Sequence, residues 1–347
     1  MVTSTSVGEH LVLDDLDREP FYCDCCDELI PRHGPGAVAT GERAEEKWRF
    51  SHLYSSLDLL YPYSEMMYGT YCSGEPTGLA DALKEYRNLD SGQPIAKIVL
   101  VPKDSRGPRI ISEEPLEIQY IQQALKSVLV RHIERCSPVT RGFINFENQG
   151  VNRSLALRES AERRFATLDL ESASDRISLE LMRRVIPHHH ARWFEACRST
   201  HTLLPGGLTL ELKKFAPMGS ALCFPVESLI FASLVYAALR LSGVPTKVAR
   251  RSCYVYGDDL IVPTRHADRI IASLESVDLK VNVGKSCSTG WFRESCGIDA
   301  YKGMIVTPIR VKSLPPSCTR SGAEAASWCD YATQAWEANL TRTALYL

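Results

Sequence analysis

Apolar and polar positions along the chain alternate in a pattern that predicts a succession of short strands and amphipathic helices. Ala96 to Pro102 reads as a strand, "KDSRGPR" as a turn, and Ile110-Ile111 as the strand that follows. From Glu117 to Cys136, Ile118, Ile121, Leu125, Val128 and Leu129 fall on one helical face. Phe165 to Leu170 predicts a strand, and Leu181, Met182, Val185 and Ile186 mark a helix that stops before Pro187. Pro217 to Ser220 is a turn leading into the longest apolar stretch, Phe224 to Leu239, read as a buried helix although it carries Glu227. Tyr254-Val255-Tyr256 and Leu260-Ile261-Val262 then form the two arms of a hairpin. Ala267, Ile270, Ile271, Leu274 and Val277 mark one more helix, followed by a strand over Lys280–Val283. This order predicts an α+β layer with an antiparallel central sheet.

Composition adds bounds without adding direction. The chain has 347 residues, 44% hydrophobic and 24% charged, which is ordinary for a globular protein able to bury a large core. A net charge of −2 means that any nucleic-acid contact comes from local basic patches and not from a basic whole. The start lacks a basic segment followed by an apolar run, so no signal peptide is expected. Residues 1 to 20 read as a loose polar end, Arg32 to Gly41 as a loop, and Ser73 to Gly92 as a boundary. Twelve cysteines without regular spacing suit reduced thiols. Cys23, Cys25 and Cys26 lack the second pair that a zinc site needs.

Chemistry enters with the hairpin. Asp258 and Asp259 lie between two oily strands, next to Gly257. In a continuous strand adjacent side chains point to opposite faces; a turn begun by Gly257 is expected to remove that obstacle. Two like charges this close repel, and a divalent cation resolves the repulsion. A solvated hairpin tip is the plainer alternative and stays open on these residues alone. Asp169 ends the Phe165–Leu170 strand, with Asp175 six residues on. Three aspartates from two strands suit a pair of hard cations and phosphoryl transfer. For Asp175 a helix N-cap is the alternative, with Ser174 able to cap equally well. Lys97, Lys103, Arg106 and Arg109 surround the Pro/Gly turn as a triphosphate grip or as a solvated basic surface.

Taken in order, these segments resemble the palm motifs of viral RNA-directed RNA polymerases, and more narrowly the replicase subunit of the positive-strand RNA bacteriophages, the leviviruses. "VPKDSRGPRIISEEP" resembles the fingers motif that meets the incoming triphosphate. "NQGVNRSLALRES" with "ATLDLESASDRIS" resembles the first palm motif, "PMGSALCFPVESLIFA" the second and "YVYGDDLIV" the third. "VNVGKSCSTGWFRESCGIDAYKG" resembles the fourth and the segment after it. The resemblance runs from about Ala96 to Val311.

It implies a right-hand polymerase fold with an antiparallel palm sheet backed by helices and a short or incomplete thumb. The parts implied are an amino-terminal region joining the fingers (1–90), fingers (91–164), palm (165–187), a fingers insertion (188–214), palm (215–290), and palm edge with short thumb (291–347). It also implies that Asp169, Asp258 and Asp259 hold two Mg²⁺ ions, with Mn²⁺ as a substitute. Asp175 with Gly219 and Ser220 would sense the ribose. Lys103, Arg106 and Arg109 would hold the triphosphate, and Lys285 would protonate the leaving pyrophosphate. The expected partners are an RNA template, nucleoside triphosphates and host translation elongation factors, in the cytoplasm of a bacterial host and with no membrane. Rival expectations are a reverse transcriptase, a metal-dependent nuclease, and a truncated, non-catalytic subunit binding RNA or host factors. Ser174-Asp175, polar where a reverse transcriptase typically places an aromatic residue, favours ribonucleotides. His188-His189-His190 is expected to be exposed or on a fingers loop, and Tyr61 and Tyr63 to pack in the amino-terminal layer.

Overall fold

The computed structural model describes residues 29–67, 89–104, 107–309, 311, 315–316 and 322–347, and at 90, 103, 104 and 323 the backbone alone. Cys23, Cys25, Cys26, Arg106, the polar start and residues 73–88 of the expected boundary lie outside them, as does the side chain of Lys103.

Twelve strands are described: β1 (His52–Leu53), β2 (Asp90–Ser91), β3 (Ile95–Asp104), β4 (Gly107–Glu113), β5 (Phe165–Leu168), β6 (His201–Leu203), β7 (Thr209–Glu211), β8 (Tyr254–Tyr256), β9 (Asp259–Pro263), β10 (Phe292–Ser295), β11 (Ile298–Tyr301) and β12 (Met304–Ile305). Helices of six residues or more are α1 (Leu116–Arg131), α2 (Gly150–Glu162), α3 (Leu179–Val185), α4 (His188–Ala196), α5 (Cys223–Leu241), α6 (Ala267–Glu275), α7 (Gly322–Glu337) and α8 (Thr341–Tyr346).

The central sheet has the order β5-β9-β8, antiparallel throughout, as the apolar pattern predicts. Its inner residues, among them Leu168, Val255, Leu260 and Val262, are buried in one continuous core with α5 and α6. Helix α5 is apolar on nearly every face because it is the core helix: it packs on α6 and β8. By length and composition alone it would also cross a membrane, but 72% of its most apolar stretch is buried inside the fold.

A second sheet, β4-β3-β6-β7, joins two sequence-distant segments through a parallel β3–β6 pair. A third, β10-β11-β12, lies against α2. The fully buried Arg293 ties it to the central sheet, its Nε donating to the Phe165 carbonyl at 2.8 Å. Glu159 on α2, also buried, accepts from the amides of Arg164 and Phe165, fixing the entry into β5. Tyr61 and Tyr63 are fully buried, and the Tyr61 hydroxyl donates to the Trp193 carbonyl at 3.0 Å.

Two expectations need correction. Lys280–Val283 is not a strand: only Val281 bridges to Leu170, and the chain turns at once through 283–285 to clasp Asp169. The three histidines are not an exposed loop but the first turn of α4 behind Pro187, with His188 and His189 exposed and His190 buried. Pro at the start of a helix and a period of 3.6 explain both facts, since one residue in three must face inward.

Candidate active site

A cleft of about 770 Å³ opens where the central sheet ends, between the β5–α3 connection, the hairpin tip, the start of α5 and β4. Its size is that of a cofactor- or nucleotide-sized ligand site. Asp169 and Asp258 line it together. Asp169 stands just beyond the last β5–β9 pair, Leu168 with Leu260, so it emerges at the sheet end that carries the hairpin tip. A turn then wraps it. Its amide donates to Ser286 Oγ (3.1 Å), its carbonyl accepts from the Asn282 amide (2.8 Å), and Asn282 Nδ2 donates to Oδ2 (2.9 Å). Lys285 Nζ stands 3.7 Å from the same oxygen.

The tip itself is a two-residue turn, Gly257-Asp258, closed by the Tyr256–Asp259 pair. Gly257 has φ +59, and a Cβ there would lie 2.2 Å from the Phe224 ring. Glycine is required twice over, for the left-handed backbone and for the aromatic lid. Phe224 in turn packs edge-on against Tyr256 and Phe146, which stiffens the tip.

The two adjacent aspartates part company here. Asp258 reaches solvent through the cleft mouth, yet protein crowds its other sides; that burial, and then the charge of Asp169, raise its pKa above the ordinary carboxylate value. Lys285 and Arg109 oppose the rise. Asp259 does not line the cleft. Its Oδ2 accepts from the amide of Cys296, 3.0 Å away in the β10–β11 turn. Burial raises it to about 6, against the pull of that hydrogen bond. Gly257 therefore opens the turn without bringing both carboxylates to one point. Among the described residues no group of three or more His, Cys, Asp or Glu side chains is placed to hold a metal ion. The pair Asp169 and Asp258 nevertheless suits one: hard oxygen donors, mutually repelling, with Asp169 Oδ1 without a hydrogen-bond partner.

Arg109 on β4 is exposed and lines the wall opposite the carboxylates. Lys97 and Lys103 lie on the neighbouring strand β3. The turn Pro217–Ser220 is locked to β4, since the Ser112 amide donates to the Met218 carbonyl at 2.8 Å. Gly219 has φ +119, and a Cβ there would meet the Ser112 carbonyl oxygen at 2.1 Å. Ser220 is buried beside it. Asp175 lies inside the helical turn Ala173–Arg176, entered through Ser172 at φ +53, and does not cap a helix. The cap of α3 is Ser178, whose Oγ accepts from the Leu181 amide. Asp175 is held instead by Lys214, Nζ to Oδ1 at 2.6 Å.

Three groups in the cleft escape the reading by pattern. Asn282 and Ser286 act across 113 and 117 residues of chain, which no local signal carries. Glu227 is different. It is the lone charge in the apolar run and lines the cleft within a buried network: Cys223 Sγ donates to its Oε2 at 3.7 Å, and Ser174 hydrogen-bonds to Cys223. Burial, and then the charge of Asp258, push it up to about 8.

Residues 78–316, well over half of the chain, match the family of the RNA replicase beta-chain. The chain belongs to that family. It is 33% identical over 256 residues to the RNA-directed RNA polymerase subunit beta of Qbeta virus (strain MX1), covering 71% of this chain and 41% of that protein. It is 31% identical over 215 residues to the RNA-directed RNA polymerase beta chain of Escherichia phage MS2, covering 62% and 37%. The chain thus spans about two fifths of the length of the curated relatives it matches. Among solved structures, the RNA-dependent RNA polymerase of a human picorbirnavirus aligns at 12% identity with a TM-score of 0.48, over 69% of this chain and 52% of that one.

Proposed function

We propose that this chain carries out RNA-templated synthesis of RNA, joining nucleotides at the Asp169–Asp258 cleft. The observation that supports it most is the pairing of these two carboxylates on one cleft floor, opposite a wall bearing Arg109, in a member of the replicase family. We read the central sheet, which unites 165–168 with 254–263, as the palm. The sheet that unites 95–113 with 201–211 is then the fingers with their insertion. The segment from 291 onward is the palm edge and short thumb.

Asp169 and Asp258 would hold Mg²⁺ or Mn²⁺, with Asp259 as the third carboxylate of a two-cation site. Such cations supply activation of the attacking hydroxyl and neutralise charge on the phosphoryl oxygens. The chain's own residues do the rest. Arg109, with Lys103 and Arg106, orients the triphosphate through charge-assisted hydrogen bonds. Asp175, held by Lys214, and the rigid Gly219-Ser220 turn face the sugar. Lys285, beside Asp169, is the proton donor to the departing pyrophosphate. Most of the rate then comes from positioning and electrostatics. An RNA template, nucleoside triphosphates, host translation elongation factors and the cytoplasm of a bacterial host belong to this proposal on family membership.

The test is release of pyrophosphate from the four ribonucleotides with RNA and Mg²⁺, with deoxyribonucleotides run in parallel. Release with ribonucleotides supports the reading. Preference for deoxyribonucleotides points to reverse transcription, and RNA cleavage without pyrophosphate to a nuclease.

A further inference from the structure

Strands β10 and β11 are joined by a two-residue turn, Cys296-Gly297, closed by the Ser295–Ile298 pair. Both turn residues are left-handed, at φ +50 and +76. That is the backbone form favoured in tight hairpins, and it aims the Cys296 amide outward. The amide meets Asp259 Oδ2 at 3.0 Å. From the other side, Arg153 Nε on α2 donates to the Cys296 carbonyl at 2.9 Å. The same guanidinium donates through Nη2 to Gln149 Oε1 (2.7 Å), and Gln149 Nε2 donates to the Tyr256 hydroxyl (3.1 Å). Asn152, fully buried between them, points Nδ2 at both the Asp259 carbonyl and Ser295 Oγ, each at 3.4 Å. One turn of α2 therefore grips the aspartate hairpin and the Cys296-Gly297 turn at once.

We propose that the Cys296-Gly297 turn, braced by Arg153, is a positioning element that fixes the carboxylate of Asp259 for a divalent cation bound in the neighbouring cleft. The inference rests on the cation-binding part of the function proposed above and adds to it. A carboxylate with one oxygen tied to a rigid amide no longer rotates freely, so its second oxygen keeps one direction. Outer partners of this kind orient the groups that meet the metal. Arg153 and Gly297 act through Asp259 and touch neither substrate nor cation. The turn is built for that single geometry: a Cβ at Gly297 would meet nothing within 4 Å. A substitution there consequently acts through backbone conformation and not through a clash. Asparagine tolerates the left-handed form and valine does not.

The experiment is Mn²⁺ binding to the full chain, followed by electron paramagnetic resonance of the free ion, without nucleotide or RNA. Thermal melts are recorded on every variant. Gly297→Val is expected to weaken Mn²⁺ binding about tenfold, while Gly297→Asn stays within about twofold of the native chain. Arg153→Ala, which removes an exposed side chain, is expected to weaken binding several-fold without lowering the melting temperature. It keeps the test open if Gly297→Val fails to fold. Native affinity in Arg153→Ala and in folded Gly297→Val overturns the inference, and so does absence of Mn²⁺ binding to the native chain. Weakened binding in a chain that releases no pyrophosphate upholds the positioning role while refuting the synthetic one.

Discussion

Asp258, Asp259 and Glu227 all carry raised pKa values from burial, and each faces at least one further acid. The sign of the linkage follows. Glu227 contributes stability that is complete below its ordinary 4.5 and lost as pH rises through about 8. Asp259 does the same between 3.8 and about 6. With EDTA present, the melting temperature should therefore fall between about pH 5 and pH 8.5. Added Mg²⁺ should restore more of it at the upper end, where the carboxylates are ionised. A melting temperature that rises over this range in EDTA contradicts the assignment. Lys285 is tested separately: Lys285→Ala should lower kcat by about a hundredfold with little change in KM, and flatten the alkaline limb of the pH profile. A pure KM effect would place Lys285 in binding and not in proton transfer.

At the scale of elements, the hairpin shows what pattern reveals and what it hides. β8 and β9 were legible because apolar runs of three bounded by a glycine turn admit few other structures. The buried α5 was legible from its unbroken apolar face, and Glu227 was visible there as an anomaly without an evident purpose. The divergence of Asp258 and Asp259 was not legible, since it depends on the Cys296 amide reached from 37 residues away. Nor was the clasp on Asp169: Asn282 and Ser286 stand in a segment whose alternation suggests a strand, but Gly284 and the need to wrap a carboxylate turn it. Helix α4 hid its inward histidine for a similar reason, because a triplet of like residues carries no period. The Gly257–Phe224 contact gives a prediction at this scale. Gly257→Ala should destabilise the fold by about 3 kcal/mol, combining left-handed strain with overpacking. Denaturant unfolding checks it; a loss under about 0.5 kcal/mol would mean that Phe224 moves aside freely.

For the whole molecule, the cleft exists because three sheets from separate parts of the chain meet around α2 and α5. The four-stranded sheet delivers Arg109, the central sheet delivers Asp169 and Asp258, and the hairpin β10–β11 holds Asp259 from behind. Family membership covers all three bodies, since residues 78–316 contain every strand from β2 to β12. The central claim is that this assembly joins ribonucleotides on RNA. It is tested most directly by pyrophosphate release from the native chain and from Asp258→Asn, with RNA, four ribonucleotides and Mg²⁺. Release by the native chain is predicted, with none from Asp258→Asn. The variant should melt no lower than the native chain, because it sheds a charge that Asp169 repels. Equal release by the two proteins, or none by the native chain, would contradict the account.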